Sequence, residues 1–241
     1  MPHALVTGTS GGIGRAIARE LLDSGWGVTA HYGTREPEGL AEASTWQADF
    51  TRPLEGQAGP LDEALDRVPS LDAVVHSAGV APLGAVAETT RDDWERSLAV
   101  NLHAPVELTR LLLPRLRRAP GATGAGGHVV YINSGAGLHS SPRWSAYSAA
   151  KHAARAWLDA LRAEERDVRA TSVYPGRVAT GMQRQVTAAL GGGLHPGALR
   201  RPGDGRALGA PRPRGARGRA DHRPAGEPAL ARHLRRGRWR A

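Results

Sequence analysis

The sequence of 241 residues contains no cysteine, one phenylalanine and a single lysine, Lys151, among its 32 lysine and arginine residues. The absence of cysteine excludes disulfide bonds, thiolate metal ligands and a cysteine nucleophile. No apolar run approaches the roughly 20 residues that span a bilayer, and no charged-then-apolar leader precedes the first apolar segment. We therefore expect a soluble, cytoplasmic protein without a membrane anchor, and no metal site is predicted.

The basic excess of the chain is confined to its C-terminal part. Residues 1–190 carry 19 Lys+Arg against 20 Asp+Glu, and residues 191–241 carry 13 against 3, which gives net charges of −1 and +10. The total charge of +9 therefore says little about the first 190 residues.

The N-terminal segment has the order strand, glycine-rich turn, helix. The apolar run Ala4-Leu5-Val6 leads directly into Thr7–Gly14, and residues 15–22 continue with helical periodicity. Glycines let the backbone turn tightly and approach a pyrophosphate, whose charge is met by free N–H groups and the positive end of the helix. The segment therefore predicts a dinucleotide site. An ordinary glycine-rich turn remains the alternative, because a lone glycine motif is weakly specific.

Periodicity further along the chain indicates one large α/β domain. It predicts helices over residues 53–69, 88–118 and 144–165, and strands over 27–32, 71–75, 128–132 and 168–174. Within the last of these helices, Tyr147 and Lys151 stand four residues apart and so share one face. A phenol with a pKa of about 10 becomes an effective acid–base catalyst at neutral pH when a close cation favours the phenolate.

The glycine spacing Gly8-x-x-x-Gly12-x-Gly14, together with Tyr147-x-x-x-Lys151, resembles the short-chain dehydrogenase/reductase family over residues 1 to about 202. The resemblance implies a Rossmann-like, doubly wound parallel sheet in a single domain. It also implies hydride transfer between a nicotinamide nucleotide and a small-molecule carbonyl or alcohol, and a homo-oligomer.

Four residues match the family's catalytic pattern. Asn101 stands in an N-x-x-x-P match with Pro105, and Ser134 precedes Tyr147 by 13 residues. The resemblance implies that Tyr147 is the general acid/base, that Ser134 orients the reacting oxygen, and that Lys151 holds the ribose and lowers the tyrosine pKa. Asn101 would support a chain of water, and Pro105 gives a physical reason, because it leaves the Asn101 carbonyl without a helical partner.

The resemblance also assigns residues to cofactor binding. They are Gly8, Ser10, Gly12, Ile13, Gly14, Arg35, Asp49, Phe50, Ala78, Gly79, Tyr147, Lys151, Pro175, Gly176, Val178 and Thr180. Asp49 would meet the adenine edge with Phe50 beside it, although an aspartate that caps the next turn is an equal alternative. Thr180 would bind the carboxamide. His76-Ser77 replaces the two asparagines that the family usually shows before Ala78-Gly79.

The end of the second predicted strand favours NADP(H) over NAD(H). An NAD site usually places an acid there for the ribose hydroxyls, whereas Tyr32-Gly33-Thr34-Arg35 offers no acid and one guanidinium. Arginine can bind a 2′-phosphate bidentately. An exposed loop arginine with no ligand is the alternative.

Residues 203–241 no longer follow the family pattern. Glycine, proline and arginine supply 30 of the 51 residues in 191–241, which is typical of a GC-rich gene read in a shifted frame. Our hypothesis is a frameshift near codon 203 that leaves a catalytic domain (1–190), a remnant of the substrate-binding segment (191–202) and a disordered tail without the dimer-forming helix (203–241). A basic arm that binds nucleic acid is less favoured, because it offers one aromatic residue, Trp239, for base stacking.

Two other functions remain open at the level of sequence. One is a Rossmann protein that binds NADP(H) as a sensor without catalysis, although a sensor has no need for Ser134, Tyr147 and Lys151 together. The other is an inactive gene product that keeps a competent nucleotide site but lacks a regular C-terminal part.

Overall fold

The computed structural model describes residues 1–66, 68, 70–120, 126–176 and 178–189. The strands in these ranges are β1 (His3–Val6), β2 (Gly27–Tyr32), β3 (Ser44–Gln47), β4 (Ala73–His76), β5 (His128–Ile132) and β6 (Arg169–Val173). The α-helices are α1 (Gly12–Asp23), α2 (Ala58–Ala64), α3 (Arg91–Leu98), α4 (Ala104–Arg117), α5 (Ser145–Glu164) and α6 (Gly181–Ala189). The predicted remnant at 191–202, the predicted tail at 203–241 and the frameshift hypothesis lie outside the described residues.

The strands form one parallel sheet in the order β3-β2-β1-β4-β5-β6. The chain therefore builds the sheet outward from β1 in one direction, then returns to its other side with β4. Such a reversal opens a crevice at the carboxyl ends of the central strands, where ligands bind in doubly wound folds. The predicted fold class is confirmed.

Apolar side chains cover both faces of the sheet, because the direction of side chains alternates along each strand. On β1, Leu5 joins a core with Leu108 of α4 and Leu158 of α5, whereas Val6 joins a second core with Leu21 of α1. The sheet is thus held between two layers of helices. Across the described ranges, no helix combines the length and apolar character needed to span a membrane.

The segment predicted as one helix over residues 88–118 is divided in the structure. A π-helical turn, Ala99–His103, separates α3 from α4. Pro105 has no N–H to donate to the Asn101 carbonyl four residues earlier, so the α-helical ladder cannot continue through this point. The helix predicted over residues 53–69 is also shorter, and α6 was not predicted.

Three histidines are buried within the fold as neutral side chains. His31 accepts a hydrogen bond from the Gly8 N–H at 3.2 Å, while His76 and His128 each bond a threonine hydroxyl at 2.8 Å. Burial lowers the pKa of His31 to about 4 and is the main cause that lowers those of His76 and His128 to about 3. Protonation of any of the three opposes folding.

We expect the free energy of unfolding to fall as the pH is lowered from about 7 to about 5. In this window the unfolded chain binds protons at these histidines and the folded chain does not, so each contributes a slope of up to about 1.4 kcal/mol per pH unit. Urea unfolding at several pH values measures this slope. His128→Asn should reduce it by about one histidine's share, and an unchanged slope in that variant would contradict the assignment.

Candidate active site

Two glycines of the turn between β1 and α1, Gly8 and Gly14, leave no room for a side chain. Gly8 has a φ of +72°, and a Cβ there would lie 2.7 Å from the Ala78 Cα. A Cβ at Gly14 would collide with the Gly8 carbonyl oxygen. The Thr7 hydroxyl accepts hydrogen bonds from the N–H groups of Ser77 and Ala78, each at 3.0 Å. The turn is therefore fixed to the end of β4.

A cleft of about 1220 Å³ lies where the central strands end. Its wall includes these predicted residues: Gly8, Ser10, Gly12, Ile13, Gly14, Arg35, Ala78, Gly79, Ser134, Tyr147, Lys151, Pro175, Gly176, Val178 and Thr180. Sites for single small molecules usually measure about 300–1,000 Å³. This cleft is large enough for a dinucleotide and a substrate together.

Asp49 and Phe50 do not line the cleft. The Asp49 carboxylate accepts hydrogen bonds from the N–H and hydroxyl of Thr51, at 3.0 and 2.7 Å, so it caps the following turn. Phe50 is buried and stacks on His31, with ring centroids 3.9 Å apart. The turn cap that was the alternative for Asp49 is present, and Phe50 packs in the core. The assignment of both residues to the adenine edge stays a prediction.

Arg35 follows β2 and lies against the glycine-rich turn. Its guanidinium donates to the Ser10 carbonyl at 3.0 Å, and the Ser10 hydroxyl donates to the Arg35 carbonyl. In the described part of the chain, Arg35 has no carboxylate within ion-pair distance. Its remaining N–H groups are available to an anion in the cleft.

Tyr147 lies in the first turn of α5 at the inner end of the cleft, with 6% of its surface exposed. Burial raises the pKa of Tyr147 above its usual value, and a hydrogen bond from Ser134 lowers it by less. The family resemblance predicted that Lys151 lowers this pKa. The net direction is upward because desolvation of the phenol outweighs the hydrogen bond from Ser134. The ammonium lies 5.7 Å from the ring centre of Tyr147.

Lys151 is 3% exposed, one turn after Tyr147 on the same face of α5. Its ammonium donates to the Ile132 carbonyl at 2.9 Å and to the Tyr131 hydroxyl at 3.0 Å. Burial lowers the pKa of Lys151 to about 7. Since an ammonium has three donors, one N–H remains for a ligand in the cleft.

Asn101 lies beneath the cleft in the π-helical turn and is fully buried. Its side-chain amide donates to the carbonyls of Val80 and Ser97, each at 2.9 Å. Its main-chain carbonyl, freed by Pro105, accepts a hydrogen bond from the Tyr131 hydroxyl at 2.6 Å. The irregular helix expected at Asn101 is present, and its main-chain carbonyl is bonded to a phenol. The chain of water at Asn101 stays a prediction.

Several residues of the cleft were missed by sequence reasoning. Trp144 packs on Tyr147 with ring centroids 5.5 Å apart, and α6 contributes Met182 and Val186 to the wall. The Thr180 hydroxyl accepts from the Gln183 N–H at 3.1 Å and so caps the start of α6. A threonine followed by apolar residues four apart could have indicated this helix.

No group of three His, Asp or Glu side chains in the described ranges could hold a metal ion.

Comparison with known proteins gives consistent matches. Residues 2–191 match the family model described as short chain dehydrogenase. The dehydrogenase/reductase SDR family member 7B of Bos taurus is 32% identical over 206 residues, or 78% of this chain and 61% of that protein. The D-beta-hydroxybutyrate dehydrogenase of Rhizobium meliloti is 32% identical over 190 residues, or 73% and 71%. A short chain dehydrogenase from Shigella flexneri, solved with NADP, superposes with a TM-score of 0.74 at 26% identity, covering 84% and 87%.

This chain spans just over three fifths of the length of the Bos taurus protein.

Gly14→Ala should weaken both folding and nucleotide binding. The added methyl group collides with the Gly8 carbonyl, and overpacking of this kind costs about 1–3 kcal/mol. We expect the midpoint of thermal unfolding to fall by several degrees, as measured by circular dichroism. Gly11→Ala is the matched control, since its Cβ would come no closer than 3.9 Å to the Arg35 guanidinium. Equal midpoints for the two variants would contradict the packing argument.

Proposed function

Because the chain belongs to the short-chain dehydrogenase family, we propose that it is an NADP(H)-dependent oxidoreductase that interconverts a ketone or aldehyde and an alcohol. One observation carries this proposal: Tyr147, Lys151 and Ser134 converge at the inner end of the cleft. A proton donor, a cation and a hydroxyl thus stand together where a carbonyl oxygen could bind.

The residues of the cleft fit a nicotinamide nucleotide. Helix α1 has no side-chain cap, and its first residues, Gly12, Ile13 and Gly14, line the cleft, so their N–H groups are available to a pyrophosphate. Ala78 and Gly79 present backbone at the end of β4, and Thr180 lies opposite Gly12. When bound, the nicotinamide supplies or accepts the hydride.

The side chains at the inner end supply the proton chemistry. The raised pKa of Tyr147 keeps the phenol protonated at neutral pH, as donation of a proton to a carbonyl oxygen requires. The Ser134 hydroxyl holds the same oxygen and spreads its developing charge. The remaining N–H of Lys151 can donate to a ribose hydroxyl. In the reverse direction, the ammonium stabilises the phenolate that removes the proton from an alcohol.

The preference for NADP(H) rests on Arg35. Its guanidinium is fixed on the Ser10 carbonyl at the rim of the cleft, and the residues from the end of β2 to Arg35 include no acid. A carboxylate there would repel a 2′-phosphate, whereas a guanidinium binds it.

The D-beta-hydroxybutyrate dehydrogenase among the relatives supports the hydroxyl or carbonyl class of substrate without identifying it.

Tyr147→Phe should lower the rate of carbonyl reduction by about 100-fold or more, because it removes the general acid. Nucleotide affinity should stay within a few-fold, since the phenyl ring remains. Reduction of a panel of ketones and aldehydes, followed by NADPH absorbance, measures the rate, and fluorescence titration measures the affinity.

The control for this variant is Thr45→Val, which removes an exposed hydroxyl of β3 outside the cleft and should keep full activity. Activity that persists in Tyr147→Phe would overturn the catalytic assignment. Tight nucleotide binding by the native protein without turnover of any carbonyl would instead favour a sensor.

Arg35→Ala should weaken NADPH binding by about 10-fold or more and leave NADH binding almost unchanged, because only the 2′-phosphate needs the guanidinium. Titration of each nucleotide into native protein should first show tighter binding of NADPH. Arg91→Ala removes an equal charge from exposed α3 and is the control for long-range electrostatics. Equal affinities of the native protein for the two nucleotides would refute the preference.

A further inference from the structure

Tyr131 is the largest fully buried side chain in the described residues, with 1% of its surface exposed. It comes from β5, and its ring packs edge-on against Trp157 at 6.3 Å. Its hydroxyl accepts the hydrogen bond from Lys151 at 3.0 Å and donates to the Asn101 carbonyl at 2.6 Å. The hydroxyl thus donates one hydrogen bond and accepts one, and both partners, Asn101 and Lys151, belong to the proposed catalytic set.

The ammonium of Lys151 is surrounded by neutral groups. Tyr147 faces it from α5, Tyr131 from β5 and His76 from β4, and Tyr174 follows β6 close to Tyr131. His76 is neutral, since its pKa is lowered to about 3. In the part of the chain that the structure describes, no carboxylate lies within ion-pair distance of Lys151. The charge depends on oxygen dipoles and on the Tyr131 ring, 4.5 Å away.

The two bonds of the Tyr131 hydroxyl strengthen each other. Donation to the Asn101 carbonyl makes the phenol oxygen more negative, and a more negative oxygen is a better acceptor for an ammonium. The carbonyl is available because Pro105 leaves it without a helical donor. The π-helical turn thereby acts on Lys151 through the phenol.

We propose that Tyr131 is a positioning residue whose hydroxyl bridges Lys151 and the Asn101 carbonyl, and so keeps the lysine charged and directed at the cleft. The hydroxyl stabilises the charge of Lys151 by accepting its hydrogen bond. It does not relay protons, because its own proton points to a carbonyl, which has no proton to pass on. The catalytic consequence rests on the function proposed above, whereas the effect on Lys151 does not.

The single lysine makes a direct test feasible. Labelling the full chain with ¹⁵N-lysine gives one side-chain signal, whose pH titration reports the pKa of Lys151 without any need for activity. Tyr131→Phe should lower this pKa by about one unit, since a hydrogen bond to a charged group is lost. Trp157→Phe alters the packing of the same ring but keeps the hydroxyl, and it should leave the titration unchanged. An unchanged pKa in Tyr131→Phe would overturn the proposal.

A second variant tests the same chain of bonds from its other end. Pro105→Ala supplies an N–H that competes for the Asn101 carbonyl, so the phenol is less polarised and the pKa of Lys151 should fall by a smaller amount. This variant removes only two ring carbons at the buried Pro105 and leaves the Tyr131 side chain intact. It decides the question if Tyr131→Phe does not fold, and an unchanged pKa would then count against the proposal.

The pH dependence of alcohol oxidation gives the catalytic readout. Oxidation needs the Tyr147 phenolate, which is less stable when Lys151 loses its charge. In Tyr131→Phe, the rise of kcat with pH should therefore move to higher pH, with little change in the KM for the alcohol. Trp157→Phe should not move it. If no carbonyl or alcohol is turned over, the proposed function fails, and the lysine titration still decides the role of Tyr131.

Discussion

The burial of one ammonium group is the constraint on which the rest of the site depends. A charge removed from water is costly unless its hydrogen bonds are replaced, and Lys151 replaces two of them with neutral oxygens. The resulting balance lowers its pKa to about 7. Three parts of the fold together form the environment of the ammonium. Helix α5 carries the lysine, β5 supplies both acceptors, and the turn between α3 and α4 polarises one of them. The protonation of Lys151 therefore depends on how these three parts pack together.

The topology explains why the two ends of the cleft are built from different groups. At the reversal of strand order, the turn after β1 and the end of β4 meet through the Thr7 hydroxyl and present mainly backbone. Backbone N–H groups at the start of a helix can bind a phosphate without help from particular side chains. At the inner end, β5 and α5 present side chains, which can differ in pKa and in donor capacity. The groups proposed for nucleotide binding and those proposed for proton transfer are thus separated along one surface.

The sequence predicted the elements that local chemistry dictates and missed those that tertiary contact decides. The strand–glycine–helix unit and the spacing of Ser134, Tyr147 and Lys151 were sufficient to predict the fold class, and the structure brings these three residues together. The packing of Phe50 in the core could not be predicted from the sequence, because its stacking on His31 depends on the pairing of β2 with β3. The hydrogen bond to the Asn101 carbonyl was missed for a similar reason: Tyr131 is 30 residues away in sequence and reaches the carbonyl only across the sheet–helix contact.

The groups beneath the cleft form a coupled set on two neighbouring strands. His76 and Tyr131 are paired in register on β4 and β5, and Trp157 of α5 lies edge-on to both rings at 6.1 and 6.3 Å. The set is aromatic and neutral where a carboxylate would be electrostatically favourable. An acid at either strand position would stabilise the Lys151 charge more strongly. It would also hold the ammonium as an ion pair, away from the phenol and the ribose. Neutral acceptors instead leave one N–H of Lys151 directed at the cleft, which is the property that its proposed role requires.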